Sequence, residues 1–213
     1  MSYSLLVMSK SPELGRVKTR MQPYLTPEQS LQLHIDLTQH ALRSWSDVES
    51  LSLELWVDGD AENFKQKILL PLQKACLKND PLNFPIHPQP QGDLGHRMSY
   101  AVKSALSRGA SGAFVVGTDC PFNDERYLQQ AIKKLDSSDV VLGPANDGGY
   151  VLIGVKKNHP ELFEKIPWGT SSVLEDTKKV IKEKSLTSDS LPALSDIDFP
   201  EDLHLLAEKN IFY

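Results

Sequence analysis

Residues 113–116 (Ala-Phe-Val-Val) are apolar, Gly117 and Thr118 follow, and Asp119 stands just before Cys120-Pro121. That is the pattern of a buried strand ending in a turn with a carboxylate at its carboxyl end. In open α/β sheets the crevice beyond the strand ends binds ligands, because loops there sit on a rigid base. Three further loops follow the same strand-then-loop order: Asn146-Asp147-Gly148-Gly149-Tyr150, Asp196-Ile197-Asp198-Phe199-Pro200, and the basic stretch 10–20. Carboxylates able to hold a divalent cation, facing Lys and Arg able to hold phosphates, point to chemistry on a nucleotide diphosphate.

Lys10, Arg16, Lys18 and Arg20 share that basic loop with Pro12 and Gly15, without helical periodicity. Arg grips phosphate through two parallel hydrogen bonds and Lys adds a compact charge, so the loop suits an anion; a solvated basic loop is the alternative. It is neither a Walker loop nor a Gly-rich dinucleotide fingerprint. Gln91-Gly92-Asp93-Leu94-Gly95-His96-Arg97 opens a helix. Asp93 fits a helix cap. Alternatively the glycines let backbone approach a ligand, with Gln91 reading a base edge and Arg97 meeting a phosphate.

Asp119 is the leading ligand for Mg2+ or Mn2+, which prefer carboxylates and fill other positions with phosphate oxygens and water. Asp198 is a second candidate, with Asp196 beside it, while Pro200 and Glu201 read equally as the first turn of a helix those carboxylates cap. Asp147 is either a turn former in Asn-Asp-Gly-Gly or a carboxylate facing an acceptor. Trp168 either stacks on a ligand or plugs the core. The six histidines show no metal spacing, and His34 and His40 fall on a helix whose apolar face lies elsewhere.

Holding these loops together requires strands alternating with helices. Residues 4–8, 52–57 and 84–87 read as short strands. Thr26-Pro27-Glu28-Gln29 carries a capping box with Pro at the first helical position, and Leu31, Ile35, Thr38, Leu42 and Trp45 then mark one apolar face. Helices are expected over 62–77, interrupted by Pro71, and over 94–105, 128–135, 173–181 and 203–207. Residues 140–142 and 150–155 flank the Asn-Asp-Gly-Gly turn as a hairpin, and the polar stretch 182–189 reads as a loop. The alternation specifies an α/β fold with a mainly parallel sheet covered on both faces, made mixed by the hairpin.

A chain of 213 residues, 40% hydrophobic and 24% charged, suits one soluble domain over residues 1–213. The net charge of -5, with no Lys/Arg block, excludes a nonspecific nucleic-acid binder. Cys76 and Cys120 do not make a disulfide framework and read as reduced thiols. The first residues lack the basic region of a signal peptide, and no apolar run reaches the roughly 20 residues needed to cross a bilayer. A cytoplasmic protein without a membrane span is expected; the oligomeric state leaves no trace in the sequence.

Taken in order, the loops 10–20, 91–98, 117–121, 144–150, 168–170 and 196–203 resemble the bacterial GT-A-type glycosyltransferase-like family, the selenodomain-associated transferase type. More distantly they resemble 2-phospholactate guanylyltransferase and molybdenum-cofactor guanylyltransferase, which share the basic first loop, the Asp-x-Pro loop and the late Asp-x-Asp element. The resemblance implies a nucleotide-diphospho-sugar transferase fold, a Rossmann-like α/β/α sandwich with a mixed sheet, and a divalent cation on the nucleotide's phosphates. It implies that Asp119 binds metal with help from Asp198, Lys18 and Arg20 hold phosphates, Gln91 and Asp93 lie near the nucleotide, and Asp147 with Tyr150 faces the second substrate. The activity implied is sugar transfer from a nucleotide sugar to a small-molecule acceptor. Nucleotidyl transfer from a nucleoside triphosphate is the alternative, and a noncatalytic nucleotide-binding protein a third. One Asp at the Asp119 strand end replaces the Asp-x-Asp pair of many glycosyltransferases, and Phe199 stands where a Thr cap is frequent.

Overall fold

The structure, a computed structural model, describes residues 2–73, 77 and 79–208. Strand β1 (Tyr3–Lys10) leads through the basic loop to α1 (Pro27–Trp45), and β2 (Leu51–Asp58) follows. Next come α2 (Ala61–Phe64), a five-residue π turn (Lys65–Leu69) and α3 (Leu70–Gln73). The three are contiguous, so the helical run 61–73 is unbroken, and the π turn lies just before Pro71, whose missing N–H it accommodates. Of the rest of the helix expected over 62–77, positions 74–76, with Cys76, lie outside the described residues, and Leu77 is not helical.

Strand β3 (Ile86–Pro88), α4 (Leu94–Ser107), β4 (Ala113–Gly117), α5 (Glu125–Ser137), β5 (Val140–Pro144), β6 (Tyr150–Val155), α6 (Val173–Glu183), β7 (Ser188–Ser190) and α7 (Leu203–Glu208) follow in order. The seven strands form one sheet in the order β3-β2-β1-β4-β6-β5-β7. Strand β6 runs antiparallel to β4 and β5, and the remaining pairings are parallel. The hairpin expected across Asn-Asp-Gly-Gly is the β5–β6 unit. The polar stretch 182–189 is not one loop: its start ends α6, and Ser188–Ser190 pairs with β5, fixed at its entry by the Asp139 carboxylate on Thr187.

Alternation along β1 builds two cores. Leu5 and Val7 join Leu42, Trp45, Phe64, Phe114 and Leu128 under α1 and α5 on one face. Leu6 joins Trp56, Met98, Val102, Val115, Ile153 and Ile181 under α4 and α6 on the other. Period-two side chains on strands buried from both sides make this three-layer arrangement. The Thr26 box forms as the sequence requires: the hydroxyl accepts from Gln29 N at 3.2 Å, and Gln29 Oε1 accepts from Thr26 N at 2.9 Å. The buried face of α1 is rotated from the expected one. His34 and Gln39 are buried while Leu31 and Ile35 are only half-buried, because this helix also covers the loop after β1, where the His34 ring meets Lys10 O at 3.0 Å. His40 likewise meets Pro121 O at 3.0 Å.

Since a carbonyl only accepts, the ring nitrogens in these two contacts carry hydrogen. Burial holds both imidazoles below the ordinary histidine range, so the native state keeps them neutral. An unfolded chain protonates near pH 6.5. Their stabilising contribution is therefore complete above that pH and lost as pH falls below it. The denaturation midpoint of wild type is expected to fall between pH 7 and 5, and His34→Gln to flatten that fall; equal pH slopes in the two proteins would contradict it.

Candidate nucleotide-binding site

Strands β1 and β4 are neighbours, but β1 is followed by β2 toward one edge of the sheet and β4 by β5 toward the other, so the strand order reverses between them and the gap beyond their carboxyl ends is a topological switch point. A cleft of about 820 Å3 opens there. Its lining draws on the basic loop, the ends of β1, β2 and β4, the β5–β6 turn, residues 168–171 and the 196–199 segment. That size suits a small-molecule ligand.

At its centre the Lys18 ammonium lies 2.9 Å from Asp119 Oδ1, 3.0 Å from Asp198 Oδ1 and 2.7 Å from Ile197 O. The Lys18 side chain is 4% exposed, and its backbone takes the left-handed conformation (φ 48°) seldom seen outside glycine. The two loops that bring the carboxylates together are joined by Ile197 N donating to Asp119 O at 3.0 Å. Burial opposes the charge on Asp119, but Lys18, by proximity and hydrogen bond, outweighs it and holds the carboxyl below the ordinary range. Burial likewise opposes the charge on Lys18, and Asp119 and Asp198 more than restore it. Asp196, in contrast, is pushed up to about 7 by burial and by the carboxylates of Asp119, Asp198 and Asp147. Around Asp196, then, three neighbouring carboxylates outweigh the one Lys18 ammonium.

The arginines around the cleft have partners of their own. Arg20 reaches Asp198 Oδ2 at 3.3 Å and lies over the Phe199 ring at 5.4 Å, with more than half of its side chain exposed. Arg16 pairs with Glu13 at 2.8 Å, and Arg97 with Asp58 at 3.0 Å. Lys10 lines the cleft from the last position of β1. Arg97 also donates to Gln89 Oε1 at 3.3 Å, and Gln89 Nε2 donates to Ser9 O and Trp56 O. Gln89 thus ties the strand ends to the cleft wall, a role the sequence reading missed. Asp58 had a readable signal, since it ends β2 as Asp119 follows β4.

Gln91 and Asp93 do not line the cleft. Asp93 caps α4, accepting from His96 N at 2.8 Å, and Gln91 is exposed. The capping alternative holds for Asp93, and neither residue is among those brought together at Lys18. Asp93→Ala is expected to cost about 1 kcal/mol of stability through the lost cap and to leave nucleotide affinity unchanged, which a thermal melt and a binding titration separate. Asp198 is not a cap either. Asp202 reaches back to accept from Asp198 N and Phe199 N at 2.9 and 2.8 Å, so the short helical turn Pro200–Asp202 starts without a Thr and leaves the Asp198 carboxylate facing Lys18.

Asp147 is a turn former that also reaches the cleft. Its Oδ1 accepts from Gly149 N at 2.9 Å, forming the turn, and the residue lines the cleft. The rings of Tyr150 and Trp168 meet edge to face at 5.9 Å and also line it. Trp168 packs closely against α4, where a Cβ on Gly95 would lie 2.4 Å from its Nε1. Burial raises the Tyr150 hydroxyl far above the ordinary phenol range, against the smaller opposing effect of Thr177. Tyr150 therefore presents its ring and not its hydroxyl to the cleft. Cys120, adjoining the site, is a buried thiol that burial and the Asp196 charge push up to about 12.

Among the described residues no group of three or more His, Cys, Asp or Glu side chains is placed to hold a metal. Two carboxylates nonetheless converge on one point, the Lys18 Nζ, with Asp196 close by. That donor set fits Mg2+ or Mn2+, which need one or two carboxylates when substrate phosphates complete the shell.

The family model described as an uncharacterized protein conserved in bacteria (DUF2064) matches residues 41–170. The chain belongs to this family. The crystal structure of a protein carrying the provisional description nucleotide-diphospho-sugar transferase, from Desulfovibrio desulfuricans G20, is 30% identical, with 99% of this chain and 88% of that chain covered and a TM-score of 0.84. More distant structures share the fold alone. A 4-diphosphocytidyl-2C-methyl-D-erythritol synthase from Anaerococcus prevotii DSM 20548 is 13% identical over 98% of this chain and 98% of that chain, with a TM-score of 0.61. A CMP:2-keto-3-deoxy-manno-octonic acid synthetase complexed with CTP is 9% identical over 98% of this chain and 100% of that one, with a TM-score of 0.57. No curated protein matches the chain. The family resemblance read from the loops and the nucleotide-diphospho-sugar transferase fold both hold. Among the described residues no helix is long and apolar enough to cross a membrane.

Proposed function

We propose that this chain is a transferase acting on a nucleotide-activated donor, moving a sugar from a nucleotide sugar to a small-molecule acceptor with Mg2+ or Mn2+ as cofactor. The observation that carries the reading is the convergence of Asp119 and Asp198 on one point of the switch-point cleft, with the Asp196 and Asp147 carboxylates close by. A diphosphate entering such a site without a counter-ion meets repulsion, whereas the same diphosphate entering as a divalent-cation complex is matched. The similarity to the Desulfovibrio protein supports the donor class.

Asp119 and Asp198 would hold the ion, which supplies neutralising charge to the departing diphosphate. Arg20 and Lys10, at the cleft's basic side, add donors to the phosphates. The acceptor oxygen forms the new bond to the anomeric carbon as the bond to the diphosphate breaks and nucleoside diphosphate leaves. Asp147 would take the acceptor's proton in an inverting reaction, and the Tyr150 and Trp168 rings would shape the acceptor side.

The single Asp at the β4 end, where many sugar transferases carry two, favours one further reading, nucleotidyl transfer from a nucleoside triphosphate. There a substrate phosphate attacks the α-phosphate and pyrophosphate leaves. Product analysis separates the two: nucleoside diphosphate released from a nucleotide sugar supports sugar transfer, and pyrophosphate released from a triphosphate supports the second reading. Release of neither, in the presence of Mn2+ and a broad acceptor mixture, would count against both.

A further inference from the structure

Lys18 is the residue the transferase reading leaves least comfortable. An ammonium has three N–H donors, and the three oxygens around Lys18 Nζ, from Asp119, Asp198 and Ile197, account for all of them. With its side chain 4% exposed, Lys18 has no hydrogen left to give a phosphate while it stays in place. The backbone holds it there at some strain, with φ at 48° on a residue that has a Cβ. Such strain persists where the surroundings over-determine it, which is common at functional sites. Two carboxylate oxygens and a carbonyl around one cation also make an oxygen shell of the kind hard divalent ions take.

We infer that Lys18 is a resident cation in the seat that Asp119 and Asp198 offer a divalent ion, so that the ion is taken up together with a nucleotide and not before it. The inference rests on the proposed metal-holding role of these two aspartates. In the free protein the ammonium neutralises the carboxylates at close range. A metal ion arriving alone competes with it for the same oxygens and leaves a buried ammonium without partners, a costly state. Phosphates arriving with the ion give the ammonium a new anion, so it can leave the carboxylates without losing its pairing. A lysine suits this exchange: its charge is compact and its stem flexible, where an arginine fork would bind both carboxylates more rigidly. Competition of this kind is reciprocal, so removing the ammonium must strengthen metal binding to the nucleotide-free protein.

The test is a titration of nucleotide-free protein with Mn2+, following the free-ion electron paramagnetic resonance signal. Lys18→Met is expected to bind Mn2+ roughly tenfold or more tightly than wild type. The double variant Lys18→Met/Asp198→Asn should lose that gain, because the seat has lost one carboxylate. Lys18→Gln keeps a hydrogen-bonding side chain without the charge; it should reproduce the gain and serves if the methionine variant does not fold. Mn2+ affinity unchanged in both neutral variants, or wild type binding Mn2+ alone as tightly as they do, overturns the inference. Failure of the transferase reading looks different: wild type would bind no nucleotide at any Mn2+ concentration, whatever the variants do with Mn2+ alone.

Discussion

Asp119→Asn is expected to lower turnover by about 100- to 1,000-fold, the scale seen when one preorganised charge-stabilising group is removed from an active site. The side chain keeps its size and one acceptor oxygen. Lys18 keeps Asp198 Oδ1 and Ile197 O as partners, and Ile197 N keeps the Asp119 carbonyl, so the loop framework survives. What disappears is one of the two charges converging at the seat. Donor binding should therefore lose its dependence on Mg2+ or Mn2+, while the melting temperature stays within a few degrees of wild type. Kinetics with the donor identified by product analysis, run beside circular dichroism, checks both halves. Turnover near the wild-type level, still dependent on the divalent ion, would remove Asp119 from the proposed machinery.

Gly148→Val is expected to have the largest effect on folding. Gly148 has φ +93°, and a Cβ there would lie 2.1 Å from Ser171 O, a backbone atom that cannot rotate aside. Gly148 O also accepts from Leu174 N at 2.9 Å, so the β5–β6 turn is fastened to the first turn of α6. Backbone strain in the left-handed half of the map and forced separation of two loops together cost about 3 kcal/mol or more. For a chain of this size that lowers the melting temperature by roughly 6–12 °C. Gly15→Ala is the control: φ is +75° there and nothing lies within 4 Å of the added carbon, so only the conformational cost applies. Equal melting temperatures for the two variants would show that the Gly148–Ser171 approach is not a constraint. Because Asp147 and residues 168–171 share this junction, the Gly148 variant should also weaken acceptor use wherever it still folds.

The strands and capped helices were readable because their signals are local. Apolar runs fixed β1, β2 and β4, Thr26 with Gln29 fixed the start of α1, and Asn-Asp-Gly-Gly fixed the hairpin. The carboxylates at strand ends were readable for the same reason: a strand followed by an Asp defines a position as well as a residue. The pairings inside the cleft were not readable, because they join distant parts of the chain. Nothing local to Lys18 shows that Asp198 takes up its charge, and nothing local to Arg97 shows that Asp58 does. A count of basic residues in a loop measures its charge but not how much of it remains free for a ligand. The buried His34 was missed on similar grounds. Helical periodicity describes a face turned to a sheet, whereas this helix also covers a loop.

The most direct measurement of the central claim is a calorimetric titration of wild type and Asp119→Asn with a panel of nucleotide sugars and nucleoside triphosphates, each with and without Mn2+. The account predicts that wild type binds at least one nucleotide sugar with Mn2+ and far more weakly without it, and that Asp119→Asn loses the difference. Nucleotide binding that ignores both the ion and the substitution, or no binding anywhere in the panel, would contradict it.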